Sequence, residues 1–176
     1  AMFNHFASLR NMEPDDGKIR TLMDEAENER MHLMTFLQVA QPNKFERFLI
    51  ICGQLTYGAA YTAAYLFDER TAHRFVALTE EKAVNSYTQY MDEIDAGRMD
   101  NPPAPDFAIK YWNLPEGSSL RDAIVAVRKD EAEHRDVNHI LADNIDEQRS
   151  IKRQARREAI RRKVDSVKQS LSRLSP

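Results

Sequence analysis

Apolar residues recur along this chain at three- and four-residue steps through long stretches, and the breaks between stretches fall on Pro, Gly and Asn clusters. A stub over Ala1–Leu9 leads into a loop marked by Pro14, Asp15, Asp16 and Gly17. The pattern then predicts a helix from about Lys18 to Ala40, stopped by Pro42, and a second from Lys44 to Phe67. A third covers Glu69–Ala96 and ends at Gly97. The run Asn101-Pro-Pro-Ala-Pro105 cannot be helical inside, because proline lacks the amide hydrogen a helix uses. A short segment around Phe107–Trp112 meets a further break at Pro115-Glu-Gly, after which Ser118 or Ser119 can cap a helix over Leu120–Gln148. The C-terminal stretch is the last helical candidate. No useful run alternates with the two-residue period of a strand. The pattern predicts an all-α protein of long antiparallel helices.

One stretch departs from the amphipathic rule. Phe48–Phe67 is 20 residues without a charge, which is long enough to span a bilayer. Yet Gly53, Gln54, Thr56, Gly58 and Thr62 interrupt it, and Tyr57, Tyr61 and Tyr65 recur every fourth residue. A helix buried in a bundle, one lying in a membrane interface and a true span all stay open, with the first two favoured.

Composition narrows the class. The 176 residues fit one domain, and 42% hydrophobic with 30% charged excludes a disordered chain. Mean hydropathy is −0.62. A single cysteine, Cys52, excludes an internal disulfide and any thiolate metal cluster. The chain opens on Ala1 without a start methionine or the apolar core of a signal peptide, and it reads as a fragment or a processed form. Charge is unevenly spread. From Arg149 onward there are ten Lys and Arg against Glu158 and Asp165, or +8, while residues 1–148 carry 15 basic and 26 acidic side chains, or −11. The net −3 averages an acidic body, residues 1–148, and a basic tail, residues 149–176.

The candidate chemistry is a doubled motif. Glu29-Arg-Met-His32 and Glu131-Ala-Glu-His134 both read Glu-x-x-His inside predicted helices, 102 residues apart. Positions i and i+3 share a helix face, so each motif aims a carboxylate and an imidazole at one point. That donor set suits iron or manganese, and a di-iron carboxylate bundle uses two such helices plus one Glu from each of two others. The alternative is a pair of solvated Glu–His faces. Leu22, Ala26, Leu33 and Phe36 flank Glu29, and Ile124, Val127, Asn138 and Leu141 flank Glu131, so both carboxylates are expected to be buried and to need a positive partner. Asn28 and Asp130 precede the two glutamates at equivalent positions and can orient them, or can serve as surface salt-bridge groups. Of the two acids in Thr79-Glu80-Glu81-Lys82, Glu80 lies on the stripe of Val76, Ala83, Val84 and Tyr87 and is the inward one. Tyr87, two turns further along that face, is either a core tyrosine or a redox and proton-transfer group. The fourth glutamate is missing: Ala1–Leu9 holds no acid, and Glu13 falls in the loop.

These residues together resemble the alternative oxidases, cyanide-resistant ubiquinol oxidases with a non-haem di-iron centre. The resemblance rests on Asn28-Glu-Arg-Met-His-Leu33, His73-Arg-Phe-Val76 before Glu80-Glu81, Tyr111-Trp-Asn-Leu-Pro115, and Asp130-Glu-Ala-Glu-His-Arg135 with Val137-Asn-His139. It runs from Ala1 to about Gln148. It implies a ferritin-like four-helix bundle with extra membrane-associated helices and a largely missing first helix. It implies two iron ions held by Glu29, His32, Glu80, Glu131 and His134, with Tyr87 near them and Asn28, Asp130 and Trp112 behind them. The family's first ligand glutamate, in a Leu-Glu-Thr motif, would precede Ala1, so the chain as it stands is expected to be inactive. Thr79 and Ala83 fall at the quinol pocket. Thr79 replaces an apolar residue there and Lys82 a carboxylate, which puts quinol affinity in doubt.

The implied activity is two-electron oxidation of ubiquinol coupled to reduction of dioxygen to water, in a respiratory chain, at the mitochondrial inner membrane or a bacterial cytoplasmic membrane. Family members lie on one leaflet, so a membrane lipid surface is an expected partner; a homodimer is left open and no nucleic acid is expected. Ile151, Ala155, Ile160, Val164, Val167, Leu171 and Leu174 recur among the Arg and Lys of the tail, which predicts a basic amphipathic helix suited to anionic lipid. Phosphate-binding and solvated readings of that tail remain. The rival functions are a soluble ferritin- or rubrerythrin-type di-iron protein and a non-enzymatic helical bundle.

Overall fold

The computed structural model describes the backbone of residues 1–172 and the side chains of residues 1–166. The order is α1 (Met2–Asn11), α2 (Lys18–Ala40), α3 (Lys44–Phe67), α4 (Glu69–Asp95), α5 (Asp106–Tyr111) and α6 (Leu120–Ser172). There is no strand among the described residues, only one isolated bridge between Pro103 and Ser119.

Helix ends follow local chemistry. Asn43 opens α3 with a reciprocal cap: its side chain accepts from the amides of Phe45 and Glu46, and Glu46 accepts from the Asn43 amide. Asp68 is the single residue between α3 and α4 and accepts from the Thr71 amide at 3.1 Å. Ser119 and Asp122 close the first turn of α6, with the Ser119 amide and hydroxyl both donating to the Asp122 carboxylate at 2.8 Å. The proline run is fixed to that turn, since the Ala104 amide donates to the Ser118 carbonyl and the Leu120 amide to that of Pro102.

The α4–α6 pair is the main packing unit. The two run antiparallel, as shown by Arg121 on Asp95 at one end, His73 on Asn138 in the middle, and Arg70 on Asp146 at the other. Met91, Ile94, Leu120 and Ile124 form the core between them, with Phe36, Val39, Tyr87 and Tyr90 against it. Fully burying an Ile or Leu side chain contributes about 1.5–3 kcal/mol. Three ion pairs then tie the middle of α6 to the start of α4: Arg74–Asp143, Arg70–Asp146 and Arg149–Asp68.

Two expectations change. Phe48–Phe67 is neither buried nor a span: α3 has no buried residue, and no described helix is long and apolar enough to cross a membrane. It is held by ring contacts such as Tyr57–Phe75 and Tyr65–His73 to α4 and Phe3–Tyr65 to α1. The composition boundary at 148/149 is not a break in the backbone, because α6 runs through it unbroken. Nothing in that stretch interrupts a helix, since it has no Gly or Pro before Pro176. Within the tail, Ile160 and Val164 share one side of the helix, about 40° apart at 100° per residue, while Ile151 falls opposite Ile160. The side chains of Val167, Leu171 and Leu174 lie outside the described residues.

Candidate metal centre

Three helices bring acids and imidazoles to one point. Carboxylate or ring atoms of Glu29 on α2, Glu80 on α4, and Glu131 and His134 on α6 all lie within 4.8 Å of one another. His32, one turn along α2 from Glu29, turns its Nδ1 toward the same space, 3.2 Å from Glu131 Oε1 and 3.6 Å from Glu29 Oε2. His134 Nδ1 sits 3.0 Å from Glu29 Oε1. Glu131, His32 and His134 are buried, Glu80 is half-buried, and Glu81 beside it is exposed.

Glu29 is less enclosed than the sequence implied. Its side chain is 45% exposed, and Ala26 is exposed too. The buried face of α2 is instead Met31, His32 and Thr35, one step around the helix. The cage is therefore least enclosed on the Glu29 side.

The charges strain against each other. Burial would raise Glu29, but the His134 and His32 rings beside it hold it down at about 2. Burial would lower His32, but Asp130, Glu131 and Glu29 raise it to about 11. Glu80 is pushed well above the carboxylate range by burial and by the neighbouring Glu131. Burial would lower His134, and Glu29 raises it. Protons therefore hold together a cluster whose carboxylates would otherwise repel. Two buried atoms that face this cluster, His32 Nδ1 and Glu131 Oε2, make no hydrogen bond. A buried ring nitrogen and a buried carboxylate oxygen left without hydrogen bonds are what a bound cation would satisfy on displacing the ring proton, so the residues present fit a metal ion.

Asp130 organises the wall behind His32. Its Oδ2 accepts from Asn28 Nδ2 at 2.8 Å and from Trp112 Nε1 at 2.7 Å, and lies 3.4 Å from His32 Nε2. The Trp112 ring stacks on His32 at 5.8 Å between centroids. A carboxylate on the outer nitrogen fixes which nitrogen faces inward. Trp112 reaches this position from the turn after α5, where Asn113 takes a left-handed backbone with φ of 51°. Tyr87 stacks on Phe36 at 5.6 Å, and burial followed by the charges of Glu131, Glu29 and Glu80 raises its phenol. Thr79 is exposed, with its hydroxyl donating to the Phe75 carbonyl, and Ala83 is half-buried.

Several polar residues at the cage were given no role from the sequence. Tyr111 accepts from Asn28 Nδ2 at 3.2 Å through its hydroxyl. Asn138 donates to Glu25 Oε1 at 2.9 Å and to the His134 carbonyl at 3.0 Å, and pairs with His73 Nδ1 at 2.8 Å. Glu25 is raised mainly by burial. The available signals were spacing alone: Glu25 lies one turn before Glu29, and Asn138 one turn after His134.

A helical bundle with a cage of carboxylates and imidazoles belongs to the class of metal-binding carboxylate bundles. Comparison with known sequences narrows this further: the profile described as alternative oxidase matches residues 1–143, and the chain belongs to that family. It is 50% identical over 142 residues to "Ubiquinol oxidase 1b, mitochondrial" of Oryza sativa subsp. japonica, covering 81% of this chain and 42% of that protein. It is 51% identical over 142 residues to "Ubiquinol oxidase 2, mitochondrial" of Nicotiana tabacum, covering 81% and 48%. "Ubiquinol oxidase, mitochondrial" of Batrachochytrium dendrobatidis (strain JAM81 / FGSC 10211) is 51% identical over 144 residues, covering 82% and 46%. The chain thus spans less than half the length of these relatives.

Proposed function

We propose that this chain carries the metal cage of a ubiquinol:oxygen oxidoreductase, in which two quinols give four electrons and four protons to dioxygen and two waters form. The supporting observation is that Glu29, Glu80, Glu131 and His134 meet within 4.8 Å in a chain of this family. Those four residues and His32 would hold two irons, which supply the electron transfer and dioxygen reduction when bound. The protein's own part is to hold, orient and move protons. Asp130, held by Asn28 and Trp112, keeps His32 Nδ1 aimed inward. Glu80 keeps a proton when the cage is empty of charge-balancing cations and releases it when one arrives. Tyr87, stacked on the Phe36 ring two turns along α4 from Glu80, would serve the cage as a proton and electron donor. A further glutamate, which the resemblance places in a Leu-Glu-Thr motif, completes the cage on the Glu29 side, and residues 1–176 alone would not turn over.

Thr79 and Ala83 border the quinol site on α4, where Lys82 is exposed and puts a cation in place of the family's carboxylate. The protein lies on one leaflet through the outer face of α3, where Phe48, Leu49, Ile51, Leu55, Leu66 and Phe67 are all more than half exposed. The relatives' names carry the word mitochondrial, which favours the inner mitochondrial membrane over a bacterial one. Membranes from cells expressing the whole open reading frame should take up oxygen with a short-chain ubiquinol in the presence of cyanide. Glu131→Ala should remove that uptake. Cyanide-sensitive uptake, or uptake indifferent to Glu131→Ala, refutes the reading.

A further inference from the structure

The part of α6 beyond Arg149 is the largest feature that the cage does not use. It lies past the residues matched by the family, 1–143, and every residue from 147 to 166 is exposed. Its basic side chains fall on all sides of the helix: Lys152, Arg153, Arg157, Arg161 and Arg162 occur at well-spread angles around the axis. An isolated helix with no apolar contact is marginal in water, and like charges at this density disfavour it further. A polyanion would relieve both effects.

The fold says where that polyanion is. The apolar outer face of α3 runs from Phe45 to Phe67, so an α3 that rests on lipid lies along the surface rather than across it. Helix α4 packs antiparallel to α3, and α6 antiparallel to α4, so α6 runs in nearly the same direction as α3. The Arg149–Asp68 pair places the exit of the tail at the α3–α4 turn, next to Phe67, which is 91% exposed. Beyond that turn every described side chain of the tail is exposed to solvent. At about 1.5 Å per residue, Arg149–Ser172 continues for about 36 Å. Basic side chains within about 10 Å of an anionic surface are attracted to it at physiological salt.

We propose that the C-terminal half of α6 is an electrostatic outrigger that lies along an anionic lipid bilayer beside the α3 face. The assignment rests on the membrane-surface reading of α3. A nucleic acid offers the same phosphate chemistry, but it gives no reason for an exposed apolar face to border the basic helix. The tail adds anionic selectivity to a contact that α3 makes by apolar burial alone.

Vesicle co-sedimentation of the whole chain tests this, with phosphatidylcholine alone and with phosphatidylcholine mixed with phosphatidylglycerol. The chain should bind the mixed vesicles at least about tenfold more tightly, with the difference vanishing at high salt. Substituting Arg153, Arg156, Arg157, Arg161 and Arg162 by Gln should erase the difference and leave binding to neutral vesicles and metal content unchanged. Substituting the same five by Lys should preserve it. Equal preference for mixed vesicles in wild type and Gln variant overturns the outrigger while leaving α3 as the lipid contact. Failure of the wild type to bind either vesicle overturns it together with the membrane reading. A duplex oligonucleotide that strips the chain from mixed vesicles at equal phosphate concentration also overturns it.

Discussion

The two halves of α6 are one unbroken helix with opposite surroundings. From Leu120 to Ala142 it carries buried Ala123, Ile124, Val127, Glu131, His134, Asn138 and Ala142 at three- and four-residue steps, facing α4 and the cage. After the last ion pair to α4, at Arg149, every described residue is exposed and most charges are positive. The backbone is indifferent to the change. What differs is what each half can do: the first has partners that gather acids and imidazoles within 4.8 Å of one another, and the second offers charge without fixed geometry. Helix formation and site formation are thus separate demands on the sequence, and only the second needs a matching neighbour.

Core substitutions give the sharpest contrast. Ile124→Ala should cost about 2–5 kcal/mol in urea unfolding, because it leaves a cavity against Met91, Ile94 and Leu120. Ile160→Ala, the same change on the same helix, should stay within about 0.5 kcal/mol. Comparable costs at the two positions would mean the second half is packed against something in solution, and would break the comparison.

A smaller effect is expected behind the cage. Asp130→Ala removes the acceptor shared by Asn28, Trp112 and His32, and should weaken ferrous iron binding by roughly 10–100-fold. An unchanged affinity would show that the His32 ring is held by packing against Trp112 alone.

The pH dependence tests the same cage from the side of its protons. Burial opposes the imidazolium of His32, but its carboxylate neighbours raise it to about 11, and Glu80 is raised by burial and Glu131. Both groups hold protons at neutral pH, and a cation must displace them. Metal binding should therefore release protons and weaken as pH falls from about 8 to about 6. Proton release into weak buffer checks the sign; proton uptake would contradict it.

Much of this was legible because the chemistry repeats. Two Glu-x-x-His motifs and the apolar stripe through Glu80 are local patterns, and the structure places Glu29, Glu80, Glu131 and His134 together. Helix limits were legible from breakers such as Pro42 and from the cap at Ser119; the reciprocal cap at Asn43 was not read from the sequence. What escaped depends on neighbours. The face of α2 that is buried could not be read from Leu22 and Ala26, because burial there is set by what packs over α2. The uncharged run in α3 carries no mark of which partner covers it. The Glu25–Asn138–His73 contacts join three helices, and spacing along one helix marks Glu25 and Asn138 without pairing them.

Anaerobic titration of the refolded chain with ferrous iron, read by equilibrium dialysis, tests the central claim most directly. Wild type should bind iron at the cage, and Glu131→Ala and His134→Ala should each weaken binding by roughly 100-fold or more, while the five-fold Arg→Gln tail variant binds as wild type does. Iron binding that survives both cage substitutions, or that follows the tail, would contradict the account.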